Sequence, residues 1–273
     1  MLRKTFMLRH KLKILIVIVG FIIVGGLVLT NFLHKNYVVP ILMYHSIDPE
    51  QNPCIRALIV SPQSFQRQMR FLKKNRYNVI TLQALANLLR DKKKIPPRTL
   101  AITFDDGYKD IYEYAFPILK EYNLPATVFI IVNEVGREQN DRLNWEEIRQ
   151  MQASGLITIG SHTLGPQPLI DIKSEEGLRR QIIASKKLLE DKLGKEVYAF
   201  SYPEGRFNAH IRDLVMEAGY KVAVSTSPGK KFSSDDIFAL KRLRISSTSD
   251  NLFVFWFESS GIYTYIKENR DAD

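Results

Sequence analysis

The chain has 273 residues, an ordinary globular composition and a net charge of +10, enough for one sizeable domain with an appendage. Six Lys or Arg and no acid precede residue 36, leaving +4 for the remainder, so a nucleic-acid-binding role loses its electrostatic basis. A lone cysteine, Cys54, excludes an internal disulfide and any Cys-built zinc site.

Residues 1–13 read as a basic tail. Ile14 to Leu33 carries no charge and is dominated by Ile, Val, Leu, Gly and Phe. At about 1.5 Å per residue it spans roughly 30 Å, the thickness of a hydrocarbon core. It has no small-residue cleavage site, so it is predicted as a transmembrane signal-anchor helix rather than a removable leader. Positive residues before the span predict a cytoplasmic amino terminus and a single pass. Residues 34–37 are then a tether, and residues 38–273 form a domain in the periplasm or outside the cell.

Beyond the tether, strand and helix signals alternate. Val38 to Tyr44 predicts a strand. Ser61-Pro62 opens a helix to about Asn75, Asn78 to Thr81 is a short strand, and Thr81 caps a helix to about Arg90. Leu100 to Phe104 is a strand, followed by a helix near Tyr112 to Tyr122 and a strand from Ala126 to Val132. Asn144-Trp145-Glu146-Glu147 starts a helix with a capping-box pattern that Gly155 ends. Then come a strand (Ile157 to Ser161), a helix from about Glu175 to Leu193 stopped by Gly194, and a strand (Val197 to Tyr202). Asn208 caps a helix stopped by Gly219, and Val222 to Ser225 and Leu240 to Ile245 are the last strands. Such alternation predicts an α/β fold, a distorted (β/α) barrel of about seven or eight mostly parallel strands. A doubly wound open sheet is the alternative. No strand leads into a Gly-rich phosphate loop, so nothing points to a nucleotide.

Four motifs fall at carboxyl ends of predicted strands: Tyr44-His45-Ser46, Asp105-Asp106-Gly107, Ser161-His162-Thr163 and Tyr202-Pro203-Glu204-Gly205. In a parallel barrel these ends meet on one face, where active sites are built. Two adjacent carboxylates are costly unless something uses them. With two of the domain's three histidines at the same face, they point to a metal-assisted hydrolase. An ordinary Asp-Asp-Gly turn is the plain alternative for that motif taken alone.

Ile41-Leu42-Met43-Tyr44-His45, Thr103-Phe104-Asp105-Asp106-Gly107, Ser161-His162-Thr163, Phe200-Ser201-Tyr202-Pro203-Glu204-Gly205 and Leu240-Lys241-Arg242-Leu243-Arg244-Ile245 resemble the polysaccharide deacetylases. This is the NodB-homology group, carbohydrate esterase family 4. Their order is most like the branch acting on poly-N-acetylglucosamine, and the resemblance covers about residues 37 to 250. It implies that Asp106 and His162 bind a divalent metal, most readily zinc, with nickel, cobalt or iron as alternatives. It further implies that Asp105 is the general base, that His45 is the acid protonating the leaving amine, and that the Tyr202 backbone N–H helps hold the oxyanion. Tyr44, Pro203 and Trp145 are candidate substrate contacts, Trp145 being equally placed for the core. The implied activity is removal of N-acetyl groups from N-acetylglucosamine units of an envelope or extracellular polysaccharide.

The chain departs from the family at one ligand. The family reads His-Ser/Thr-x-x-His, whereas here His162-Thr163-Leu164-Gly165-Pro166 ends on a residue with no side-chain donor. Gln167, Asp171, Glu204 and His210 are candidate substitutes. A metal-free, glycan-binding scaffold is the competing expectation. Ser201 stands where many members carry an Arg that pairs with the catalytic Asp, which leaves Arg206, Arg242 or Arg244 as charge partners. For the last two, an outward position facing solvent is the alternative.

Overall fold

The computed structural model describes residues 19–20, 24–25, 38–49, 58–137, 141–226 and 236–270. The chain divides into two compact units, 1–38 and 39–273. The expected span at 14–33 lies almost wholly outside the described residues, and Cys54 lies outside them too. Among the described residues no helix is long and apolar enough to cross a membrane.

Unit 39–273 is a nearly closed barrel built on parallel pairing. Its strands are β1 (Ile41–Tyr44), β2 (Asn78–Val79), β3 (Thr99–Phe104), β4 (Ala126–Ile130), β5 (Ile157–Ser161), β6 (Ala199–Ser201), β7 (Val222–Ser225), β8 (Leu240–Lys241) and β9 (Leu243–Arg244). They run in the order β8-β7-β6-β5-β4-β3-β1-β9, with β2 on the side of β3. One stretch closes the ring. β8 pairs with β7 (Val224↔Leu240), β9 pairs with β1 (Leu42↔Leu243), and only Arg242 separates them. The expected single strand from Leu240 to Ile245 is therefore interrupted at Arg242.

The helices are α1 (Pro62–Lys74), α2 (Leu82–Arg90), α3 (Phe116–Tyr122), α4 (Trp145–Ala153), α5, α6 (Ala209–Glu217), α7 (Leu252–Ser259) and α8 (Ile262–Arg270). In α5, Glu175–Arg179 continues through a π-helical stretch, Arg180–Ala184, into Ser185–Leu193. Their starts follow the sequence. Ser61 accepts from the Ser64 N–H, Thr81 from Ala84, and Asn144 forms a full capping box with Glu147. The region expected as helix near Tyr112 begins as a π turn, Ile111–Ala115. The helices α7 and α8 have no counterpart in the expected elements. Helix α7 packs on α1, with Phe255 edge-on to Phe71 at 6.0 Å between ring centroids, and α8 packs on α7.

Parallel strands are covered on both faces, which is why β3 and β4 are buried along their whole length. Their outward residues join one large core beneath the helices. Their inward residues form a second cluster that includes Ile41, Ala101, Phe129, Ala199, Val222 and Leu240, most of them in the first half of their strands, together with Leu82, Leu85 and Ala86 of α2. Helix α2 thus packs against the amino-terminal end of the barrel. Gly160 has no alternative in this packing, because a Cβ there would meet the Phe129 ring at 2.5 Å. With a side-chain period of two, the next inward positions lead to the carboxyl end. Ile41 is followed by Met43 and His45, Ala101 by Thr103 and Asp105, and Ala199 by Ser201 and Pro203.

Candidate active site

That inward series opens into a cavity of about 510 Å³ lined by, among others, His45, Asp105, Asp106, His162, Pro166 and Glu204. The four strand-end motifs therefore converge as expected.

Asp106 and Gly107 both have positive φ, 69° and 67°. Glycine tolerates this conformation and aspartate reaches it at some cost. The turn is held from outside. The Arg142 Nη1 donates to the Asp106 carbonyl at 3.2 Å, and its guanidinium lies 4.0 Å from the Tyr108 ring centroid. A Cβ at Gly107 would press on Ile130 at 3.0 Å, so the turn is tight on its inner side as well.

His162 follows β5 and is oriented by β6. Its Nδ1 donates to the Ser201 carbonyl at 2.8 Å. That bond places the proton on Nδ1 and leaves the Nε2 lone pair facing the cavity. Nε2 lies 3.5 Å from Asp106 Oδ1 and 4.0 Å from Asp105 Oδ2. The following loop is pinned. Gln181 Oε1 accepts from both the Leu164 and Gly165 N–H at 3.0 Å, and the Thr163 hydroxyl lies 2.6 Å from the Gly165 carbonyl.

Arg242 is the partner of Asp105. It is only 1% exposed. Its Nη1 and Nη2 reach Asp105 Oδ1 and Oδ2 at 2.7 and 2.6 Å, a bidentate pair. Nη2 also donates to Ser201 Oγ at 2.9 Å, Nη1 to Thr103 Oγ1 at 3.2 Å, and Nε to the Ser225 carbonyl at 3.2 Å. The inward position thus prevails over the outward one for Arg242. Arg206 instead pairs with Asp171, and Arg244 lies at the cavity rim. Burial works to raise the Asp105 pKa, but Arg242 and His162 together outweigh it and hold the carboxyl well below its usual range.

His45 is lowered from its ordinary pKa, chiefly by burial and against the pull of Asp105 and Asp106. Its Nδ1 is buried and makes no hydrogen bond. The segment carrying it is fastened by Asp110, whose Oδ2 accepts from the Ser46 hydroxyl at 2.5 Å. Burial pushes the Asp110 carboxyl up to about 6, with the Ser46 hydrogen bond opposing it. No sequence signal singled out Asp110, because its partner lies 64 positions away.

Several expected roles find a different geometry. The Tyr202 N–H already donates to the Val224 carbonyl at 3.1 Å, within the β6–β7 ladder, so it is not a free oxyanion donor. The Tyr202 ring is fully buried, with its hydroxyl on the Phe238 carbonyl. Tyr44 is fully buried too. It stacks against Phe104 and donates to Gln68 Oε1 at 2.9 Å, which makes it a core residue below the mouth. Trp145 packs on the main core and does not line the cavity. Pro203 does line it. Of the substitute ligands, Glu204 reaches the rim, whereas His210 pairs with Glu175 at 2.7 Å on the outer surface and Asp171 is engaged by Arg206. Among the described residues no group of three His, Cys, Asp or Glu side chains is placed to hold a metal.

A family model for polysaccharide deacetylases matches residues 92–223. The chain is 33% identical over 221 residues to YxkH of Bacillus subtilis, a protein named for the polysaccharide deacetylases. The match covers 81% of this chain and 76% of that one. It is 29% identical over 213 residues to a Staphylococcus aureus poly-beta-1,6-N-acetyl-D-glucosamine N-deacetylase, covering 74% and 73%. The solved structure of the Streptococcus pyogenes deacetylase PplD, in complex with acetate, superposes with a TM-score of 0.71. Its sequence identity is 27%, over 80% of this chain and 99% of that one.

Proposed function

The chain belongs to the polysaccharide deacetylase family, and on that premise we propose that it removes N-acetyl groups from N-acetylglucosamine units of an envelope or extracellular polysaccharide. The reading includes a divalent cation at the barrel mouth and a membrane anchor through residues 14–33. The observation that carries it is the orientation of His162, whose Nε2 lone pair faces Asp106 Oδ1 at 3.5 Å.

This donor pair suits a divalent cation. An imidazole nitrogen and a carboxylate oxygen at that separation are both open to one ion, and the Ser201 carbonyl fixes the tautomer. Asp106 and His162 would hold it. Pro166, at the third position of the family pattern, lines the mouth without contributing a donor, so water would complete the coordination. When bound there, such a cation would polarise the amide carbonyl and bring the pKa of a bound water down to about 7.

The remaining work falls to the chain's own side chains. Hydrolysis adds water to the carbonyl carbon, breaks the C–N bond and delivers a proton to the departing nitrogen. Asp105 is the acceptor for the proton that the attacking water gives up. Its clamp on Arg242 keeps it anionic and aimed into the cavity, at the expense of basicity. His45, on the neighbouring strand end, supplies the proton that the amine needs to leave. The cavity lies within the size range of small-ligand sites, and its open rim at Glu204, Thr226 and Arg244 admits a polymer.

The test is acetate release from acetylated glucosamine oligomers with a series of divalent cations. Release that depends on the cation and disappears in Asp105→Asn supports the reading. Pro166 favours one rival, a glycan-binding scaffold without metal. Oligomer binding with no acetate released under any cation would establish that rival instead.

A further inference from the structure

The charge of the barrel is concentrated at the end opposite the catalytic mouth. Between residues 73 and 98 stand Lys73, Lys74, Arg76, Arg90, Lys92, Lys93, Lys94 and Arg98 against one acid, Asp91. That is +7 in one short stretch, while residues 36–273 as a whole carry +4. The rest of the domain is therefore net negative, and the mouth holds Asp105, Asp106 and Glu204 beside Arg244, with Asp105 paired to Arg242. All eight basic residues are exposed.

The fold gathers them on one face. Lys73 and Lys74 end α1, and Arg76 lies in the turn leading into β2. Arg90 ends α2, which packs on the amino-terminal end of the barrel, and reaches across that end to the Lys221 carbonyl at 3.5 Å. Lys92 to Arg98 form the connection into β3, and the Arg98 guanidinium bonds the Asn75 carbonyl at 3.1 Å, joining the two turns. The one acid of this stretch, Asp91, pairs with Lys93 at 2.9 Å. The chain enters the barrel here, because the Pro40 carbonyl accepts from the Ala101 N–H at 3.1 Å, directly beyond Arg98 and Thr99.

We propose that this basic face docks on the headgroups of anionic phospholipids and holds the catalytic mouth turned away from the bilayer. The proposal rests on anchoring through residues 14–33. A four-residue tether extends at most about 14 Å, about one and a half times the Debye length of roughly 8–10 Å at 0.10–0.15 M salt. Within that reach a polybasic surface is attracted to anionic lipid, and the attraction weakens with salt. Docking would fix which way the mouth points, presenting it to a polymer outside the membrane plane.

The experiment places the full chain in nanodiscs of phosphatidylcholine, with and without phosphatidylglycerol, and measures acylation of individual lysines by a water-soluble reagent. Acylation of Lys73, Lys74 and Lys92 to Lys94 is expected to slow roughly tenfold with phosphatidylglycerol and to recover in high salt, while Lys109, near the mouth, is unchanged. In K92E/K93E/K94E the protection of Lys73 and Lys74 should disappear. Equal acylation in both lipids, with the chain retained in the discs, overturns the docking and leaves the anchor standing. A chain that stays out of phosphatidylcholine discs overturns the anchor instead, and the face is then judged by the same protection on phosphatidylglycerol vesicles. Equal protection by soluble polyphosphate at matched phosphate concentration would make this a general polyanion site and overturn the lipid assignment.

Discussion

Replacing Arg242 with Met should expose how far the site depends on one buried cation. The substitution keeps an unbranched chain inside the barrel but removes both bonds to Asp105 and those to Ser201, Thr103 and Ser225. Asp105 is then a carboxylate at 2% exposure that has lost its guanidinium partner, with only the His162 imidazole still nearby at 4.0 Å. Breaking a buried pair from one side costs about 3–5 kcal/mol. The pH dependence has a definite sign. In the wild type the folded pKa of Asp105 is depressed, so its contribution is complete above the unfolded value, about 3.9, and is lost only in strong acid as pH falls through the folded pKa. In Arg242→Met burial dominates and the folded pKa moves above the unfolded one. The penalty should therefore be largest at neutral pH and shrink toward pH 4 by about 1.4 kcal/mol per unit over that window. Urea unfolding followed by tryptophan fluorescence, repeated across pH, measures it. Asp105→Asn in the same background removes the stranded charge and should restore most of the loss. A penalty independent of pH, or no recovery in the double variant, would refute the reasoning.

Four further outcomes follow from the same geometry. His162→Ala should abolish calorimetric binding of divalent cation together with acetate release, whereas loss of activity with cation binding intact would place the cation elsewhere. Pro166→His supplies the missing imidazole and should tighten cation binding by roughly tenfold or more, about 1.4 kcal/mol; unchanged affinity would mean that this loop does not face the ion. His45→Gln should lower kcat by about 10²–10⁴ with little change in KM. Since burial lowers the His45 pKa and the acid must be protonated, the alkaline fall of kcat/KM in the wild type should begin below the usual histidine value near 6.5 and vanish in the variant. Asp110, raised to about 6 by burial, stabilises the fold in its protonated form and loses that advantage as pH rises from the unfolded value through 6. Asp110→Asn should accordingly gain about 2–3 kcal/mol over the wild type at pH 8 relative to pH 4, and an equal difference at both pH values would contradict the raised carboxyl.

Most elements as far as β9 were legible in the chain because their signals are local, whereas α7 and α8 were not foreseen. Ser61, Thr81 and Asn144 cap the helices that follow them, as their side-chain chemistry requires. Apolar runs such as Leu100 to Phe104 are strands buried on both faces. The period of two along β1, β3 and β6 then carries His45, Asp105 and Pro203 to one mouth once the strands are parallel. Residue identity alone also shows that Pro166 offers no ligand. Tertiary structure decided what depends on pairing across the ring. Arg242 separates two short strands that would otherwise read as one. Only closure of the barrel between β7 and β1 turns it inward onto Asp105, 137 positions away. The Tyr202 N–H is taken by Val224 of the adjacent strand, and Tyr44 is buried by Phe65 and Phe104. A sequence states what each side chain can offer, whereas the register of neighbouring strands determines which of those offers are already taken.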